Sequence, residues 1–170
     1  EGAAAIARPR ISPDGQRVVY ASGTEMSSNI WTMDLDGGTP QQITFREGFN
    51  EAPDWSPDGT RIVFASNLRG AHQMYVVGAA GGSPKPLPGT PWGRGPDTAW
   101  APGNDVVWHC LENQDFCVMD VEKGEERLLL GGVRIGWVFK PAAAPDGRRI
   151  AFRWNHPDTP GIWVASIDGE

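Results

Sequence analysis

The chain has 170 residues, 39% of them hydrophobic and 21% charged, a composition that excludes a disordered segment and suits one globular domain with a core. A net charge of −6 and a pI near 5.0 argue against nucleic acid as a partner, because such a balance builds no broad cationic face for phosphate. No apolar run reaches the roughly 18 residues of a membrane span, so no membrane insertion is expected, and 22 Gly and 15 Pro leave room for many turns but no long helix.

The first nine residues, "EGAAAIARP", are too short and polar for a leader and read as the start of a mature or trimmed chain. From there one unit recurs. "ISPDG" (11–15), "WSPDG" (55–59), "WAPGN" (100–104) and "AAPDG" (143–147) place Pro13, Pro57, Pro102 and Pro145 at intervals of 44, 45 and 43 residues. After each turn comes a short β-branched and aromatic run: "RVVYAS" (17–22), "RIVFAS" (61–66), "DVVWHC" (105–110) and "RIAFRW" (149–154). Such runs suit strands buried on both faces. A second run follows ("NIWTMDL" at 29–35, "QMYVVGA" at 73–79, "DFCVMDV" at 115–121, "GIWVASI" at 161–167) and then a glycine-rich turn. A weaker third run, "PQQIT", "PKPLP" or "ERLLL", ends the first three units, whereas the fourth stops at "SIDGE".

Proline presets φ at the first central turn position, aspartate tolerates the bridge conformation, and glycine accepts positive φ. The turn therefore joins an innermost strand to the next as a tight hairpin. In the third unit Asn104 takes the left-handed place of glycine. Four-stranded units of this period bury both sheet faces by stacking radially. The expected fold is all-β: a β-propeller of four four-stranded blades, either a complete small ring or half of a larger oligomeric ring. One domain, 1–170, is expected, with approximate repeats 1–44, 45–88, 89–131 and 132–170. The alternative is four unrelated hairpins in an irregular β-sandwich.

The segments "ISPDGQRVVYAS…NIWTMDLDGGTPQQIT" and "PDWSPDGTRIVFAS…QMYVV" resemble the TolB-like, WD-repeat-like propeller family, and the likeness runs over essentially the whole chain as four repeats. The resemblance implies a periplasmic protein-binding module. Similar blades form the lids of prolyl oligopeptidase-family enzymes, and "ARPRISPDG" resembles the way a first blade begins there. Those families usually close six or seven blades. Two roles stand open for the N-terminal segment: "AAIA" (4–7) as an outer strand that completes the fourth blade of the same or another chain, or residues 4–12 as the innermost strand of the first. In the second case an edge is left on the fourth blade.

No G-x-S-x-G, H-E-x-x-H or P-loop spacing occurs, so no catalytic residue and no cofactor are expected. His72, His109 and His156 fall in three different repeats with no partners at zinc spacing, and no metal site is expected. Of the eight Trp, five sit at repeat-equivalent positions: Trp55 and Trp100 on inner strands, Trp108 on a second strand, Trp31 and Trp163 on third strands. These are read as core. Trp92 and Trp137 lie instead in loops leading to inner strands, with Phe49 in the matching loop and Arg46, Arg94 and Arg134 in the same three segments. Glu47 and Glu51 lie there too, and His72 and His156 border the same face. Three aromatics and three arginines form a candidate ligand-binding face, with a protein or peptide as ligand; the alternative is that the aromatics merely plug a narrow channel.

Cys110 and Cys117 flank "LENQDF", and folding that hairpin symmetrically about Asn113-Gln114 sets the two directly opposite. Either they form a disulfide, contributing about 2–3 kcal/mol in the loop-entropy picture, or both remain buried thiols. Oxidation fits a periplasmic or extracellular location, as the resemblance implies. The overall expectation is a non-catalytic module for protein or peptide recognition. Its rivals are a propeller lid of a prolyl oligopeptidase-like hydrolase, a structural subunit that self-associates through the N-terminal strand or the fourth-blade edge, and a glycan-binding propeller.

Overall fold

The computed structural model describes residues 5–24, 27–45, 48–88, 97–110, 115–131 and 136–168, the side chains of Ala5, Arg69, Ala71, His109 and Cys110 excepted. These residues form strands and turns only, in two compact units, Glu1–Leu87 and Pro88–Glu170. The first unit holds β1 (Ala5–Ile11), β2 (Arg17–Gly23), β3 (Ser28–Asp34) and β4 (Gln41–Gln42) in one antiparallel sheet. Its second sheet is β5 (Asn50–Trp55), β6 (Arg61–Arg69), β7 (Ala71–Gly78) and β8 (Lys85–Pro86). The second unit holds β9 (Thr98–Trp100), β10 (Asp105–Cys110), β11 (Asp115–Asp120) and β12 (Glu126–Leu128), then β13 (Val138–Ala143), β14 (Arg149–Trp154) and β15 (Gly161–Ser166). Each sheet runs in chain order, so every connection is a hairpin. They are the four blades of a β-propeller fold, and the fourth shows three strands among the described residues.

The repeated turn folds as its residues dictate. Gly15 donates its N–H to Ser12 O at 2.9 Å and Gly59 to Ser56 O at 2.8 Å, each closing a four-residue turn over Pro-Asp. In the third blade Asn104 adopts φ 78°. The serines add what the turn residues alone do not explain. Ser56, fully buried, donates Oγ–H to Asp58 Oδ1 at 2.6 Å and accepts the N–H of Arg61 at 2.9 Å. Ser12 repeats both bonds with Asp14 and Arg17 at 2.5 and 2.8 Å. The Ser56 hydroxyl and the N–H and hydroxyl of Thr60 hold the Asp58 carboxyl down to about 2, and Ser12 with the Gln16 N–H lowers Asp14 in the same way.

Packing within each unit follows the repeat. In the first unit Val19, Ile30, Ile43, Trp55, Ile62, Phe64 and Tyr75 form one cluster. Trp55 Nε1 donates to Arg10 O at 3.0 Å, and the Arg17 guanidinium lies 4.8 Å from the centre of its ring, so one indole ties the second blade to the first by three kinds of contact. In the second unit Val107, Phe116, Leu129, Val138, Ile150 and Phe152 form the counterpart, with Phe116 and Phe152 edge to face at 5.5 Å.

Three sequence expectations need correction or completion. Trp55, Trp100 and Trp108 are buried as core, but Trp31 is half-buried and Trp163 is 37% exposed. Outer strand β4 lies over the Trp31 position, and no described strand lies over that of Trp163. Residues 5–11 are the innermost strand of the first blade, paired antiparallel with β2, and not an outer strand of the fourth. In the β10–β11 hairpin Cys110 stands opposite Asp115, and Cys117 opposite Trp108, so the cysteines are diagonal neighbours and not a facing pair. Symmetric folding about Asn113-Gln114 misplaces each partner by two residues.

Candidate functional site

Three loop segments of the first unit meet through backbone bonds. Phe49, in the segment leading to β5, bridges Ser28 at the start of β3, and Ser28 N–H donates to Gly48 O at 3.1 Å. Ser28 Oγ donates to Asn50 O at 3.0 Å and accepts Asn50 N–H at 3.1 Å, while Asn50 Nδ2 donates to Ser28 O at 2.8 Å. From the end of β6, Asn67 accepts the Phe49 N–H through Oδ1 at 2.7 Å and returns its own N–H to Phe49 O at 3.2 Å. The clasp requires glycine before the aromatic: Gly48 sits at φ 113°, and a Cβ there would meet Asn67 Oδ1 at 2.7 Å. The second unit repeats the device, with Asn155 Oδ1 accepting from Trp137 N–H, Asn155 N–H donating to Trp137 O at 3.0 Å, and Gly136 at φ 79°.

Beside the Phe49 clasp is a cavity of about 240 Å³. Ala7, Ala21 and Phe49 supply its apolar wall, Gly23, Thr24 and Ser28 its polar one, and Arg8 and Glu51 bring one charge of each sign. Its shape owes much to a bulge in the inner strand. The β1–β2 register shifts between Ala7 and Arg10, and Arg8 within the shift adopts φ 55°. Ala52 (φ 48°) and Lys140 (φ 52°) occupy the same place, three residues before the inner-strand position of Ile11, Trp55 and Ala143. Left-handed backbone on residues with a Cβ costs about 1–3 kcal/mol, and such strain gathers where a chain serves a site. The corresponding residue of the third blade is Asp97, whose Oδ2 accepts the Lys140 N–H at 3.1 Å.

Among the described lining residues the hydroxyls are those of Thr24 and Ser28, and the Ser28 oxygen already donates to and accepts from Asn50 backbone. Among the described residues no group of three or more His, Cys, Asp or Glu is placed to hold a metal ion. The volume lies below the roughly 300–1,000 Å³ of small-molecule pockets.

Of the residues singled out in sequence, Phe49 and Glu51 come together at this cavity. Trp137 is half-buried in the second unit's clasp; Trp92, Arg46, Arg94 and Arg134, with Glu47, lie outside the described residues. His72 is half-buried, and His156 stacks edge to face on Trp154 at 5.1 Å. Cys117, fully buried, is disulfide-bonded, and the side chain of Cys110 lies outside the described set. Arg8, Thr24, Ser28 and the two clasping asparagines were not anticipated. Their sequence signal is Gly-aromatic before the inner strand with Asn three residues after the second-strand aromatic, as in Gly48-Phe49 with Asn67 and Gly136-Trp137 with Asn155.

Residues 3–170 match the TolB beta propeller domain family. The chain belongs to that family. Within it, the Tol-Pal system protein TolB of Pseudomonas putida is 40% identical over 48 residues, which are 28% of this chain and 11% of that protein. The crystal structure of TolB from Acinetobacter baumannii superposes with a TM-score of 0.82 at 22% identity, covering 97% of this TolB-family chain and 42% of that one. A puromycin-hydrolyzing peptidase of Mycobacterium tuberculosis superposes at 0.75 with 17% identity, over 98% of this chain and 28% of that one. These two likenesses are of fold. The chain thus spans less than half the length of each of these three proteins.

Proposed function

We propose that this chain is a non-catalytic recognition module that holds an extended segment of a protein or peptide partner on the loop face carrying Phe49. The supporting observation is the cavity beside the Phe49 clasp, where an aromatic wall, hydrogen-bonding groups and charges of both signs meet on a strained, pre-set backbone. Trp92, Trp137, Arg46, Arg94 and Arg134 belong to the same proposal as further contacts, and residues 1–170 act in it as one propeller domain. By likeness to the Tol-Pal system relatives, the partner is a protein of such a system and the setting is periplasmic or extracellular. A Cys110–Cys117 disulfide suits that setting.

The test is selection of peptides from a displayed library, followed by titration against variants. Phe49→Ala is expected to weaken a selected peptide about thirty-fold, and Glu51→Lys to change which peptides are selected. Peptides bound equally by the Phe49→Ala chain would sink the proposal; glycans retained in its place by an array would favour the sugar-binding rival. The likeness to the peptidase supports a second reading, the lid of a hydrolase, which the full coding sequence decides by the presence or absence of a hydrolase domain.

A further inference from the structure

Between the first and second sheets one polar group is left over from the hydrogen bonding. Tyr75 is 3% exposed, packs in the cluster with Val19, Ile30 and Ile43, and stacks its ring on Phe64 at 5.8 Å. Its hydroxyl oxygen is buried and has no hydrogen-bond partner among the described residues. The repeat-equivalent residues Trp31, Cys117 and Trp163 carry no hydroxyl, so the group is peculiar to the second blade. A buried hydroxyl without a partner is costly enough that folded chains keep very few.

Tyr75 lines a cavity of about 10 Å³ with Thr44, Asn50 and Ser66, closed by apolar Phe64, Leu68 and Pro84. That volume suits one water and nothing larger. The register explains why polar groups meet there. Ser66 stands opposite Asn50 in the β5–β6 ladder, and Tyr75 lies two places along β7 from Gln73, the partner of Ser66. All three side chains therefore share one face of the sheet.

Their bonding leaves complementary capacity. Ser66 Oγ accepts the Leu68 N–H at 3.2 Å and keeps its own hydrogen for another acceptor. Asn50 commits Nδ2 to Ser28 O at 2.8 Å, and the acceptor that remains to it is Oδ1. Thr44 Oγ1 accepts the Ile30 N–H and donates to Asn29 Oδ1, both at 2.9 Å, so it closes the wall without offering a hydrogen.

We infer that this cavity is a binding site for one structural water. The water accepts the hydroxyl hydrogens of Tyr75 and Ser66 and donates to Asn50 Oδ1, which makes the three bonds usual for a buried water. It ties β5, β6 and β7 together at the end of the sheet where Asn50 grips Ser28 and the Phe49 clasp begins. Tyr75 is a positioning residue for that loop face, acting through the water and not by contact with a ligand. The inference is independent of what the loop face binds.

A crystal structure of the 170-residue chain, at a resolution that orders water, should show one well-occupied water within hydrogen-bond reach of Tyr75 Oη and of Ser66 or Asn50. A dry cavity, or a Tyr75 hydroxyl bonded straight to a protein atom, overturns the proposal. In solution the sign of Tyr75→Phe decides. With the water in place the hydroxyl is satisfied, and its loss should raise the unfolded-to-folded ratio about five-fold in urea unfolding. Without the water that hydroxyl is an unpaired group, so a Tyr75→Phe chain as stable as the original, or more stable, overturns the proposal. Ser66→Ala removes a second partner of the same water, and in that background Tyr75→Phe should cost about two-fold or less. An undiminished loss there would show that the two hydroxyls share nothing, and also overturns it.

Discussion

The second and fourth sheets come from the same repeat and share its turn, its Arg-Ile-x-Phe strand and its Gly-aromatic clasp, yet they differ in how the positions around these are buried. In the second, Trp55 is buried at the head of the turn, Ser56 is buried under it, and Tyr75 lies beneath an outer strand. In the fourth, Ala143 and Ala144 replace the tryptophan and serine, and Trp163 stands partly in solvent. The pattern that builds a sheet is therefore not the pattern that seals it. Hairpin geometry is encoded within each repeat; burial depends on what neighbouring segments lay over it.

Exchanging the distinguishing residues should break this contrast in a graded way. Trp55→Ala is the largest, with an expected loss of about 3–5 kcal/mol in urea unfolding, because packing, the bond to Arg10 O and the Arg17 stack all go. Trp163→Ala should cost about 1 kcal/mol, chiefly its edge contact with Trp154 at 5.1 Å. Equal costs would mean that something covers β15 in solution.

Ser56→Ala should cost about 1–3 kcal/mol, since it removes a buried hydroxyl and leaves the Arg61 N–H without that acceptor. The reverse change, Ala144→Ser, should add about 0.5–1 kcal/mol by giving the fourth turn the bond its Asp146 is placed to accept. A destabilising Ala144→Ser would show that the turns differ in more than the hydroxyl.

The smallest effect is in acid. Asp58 holds a pKa of about 2 when folded, against an ordinary 3.8, so its contribution is fully present above about pH 4 and is lost as pH falls toward 2. Asp14 is lowered in the same direction by Ser12 and the Gln16 N–H, so its contribution too is lost as the pH falls. The melting temperature should therefore fall between pH 4 and 2, and Ser56→Ala should flatten that fall. An unchanged slope would show that the carboxylate owes its shift to other groups.

Turn, period and strand order were legible because Pro-Asp-Gly and the 43- to 45-residue spacing act locally, within one hairpin. The assignment of Trp163 to the core failed because β15, unlike β3, β7 and β11, has no outer strand paired with it among the described residues. The pairing of Cys110 with Asp115 was missed because the hairpin's centre lies one residue before Asn113-Gln114, and a one-residue error in the centre moves every partner by two. Phe49 was legible as an aromatic outside the repeat pattern, whereas Arg8 was hidden: nothing in "ARPR" announces a left-handed backbone. The asparagine clasps had a signal, Gly-Phe with Asn67 and Gly-Trp with Asn155, which emerges only once the repeats are set against one another.

The inner-strand bulge has a consequence for how such a chain diversifies. Its left-handed backbone is kept by the ladder on either side and is indifferent to the residue it carries: arginine in the first blade, alanine in the second, lysine in the fourth. The first, second and fourth blades thus each own one slot in which charge and size differ on the same backbone. A repeat protein with such slots acquires new partners by single substitutions, in the manner of a keyboard whose frame stays put while its keys are relabelled.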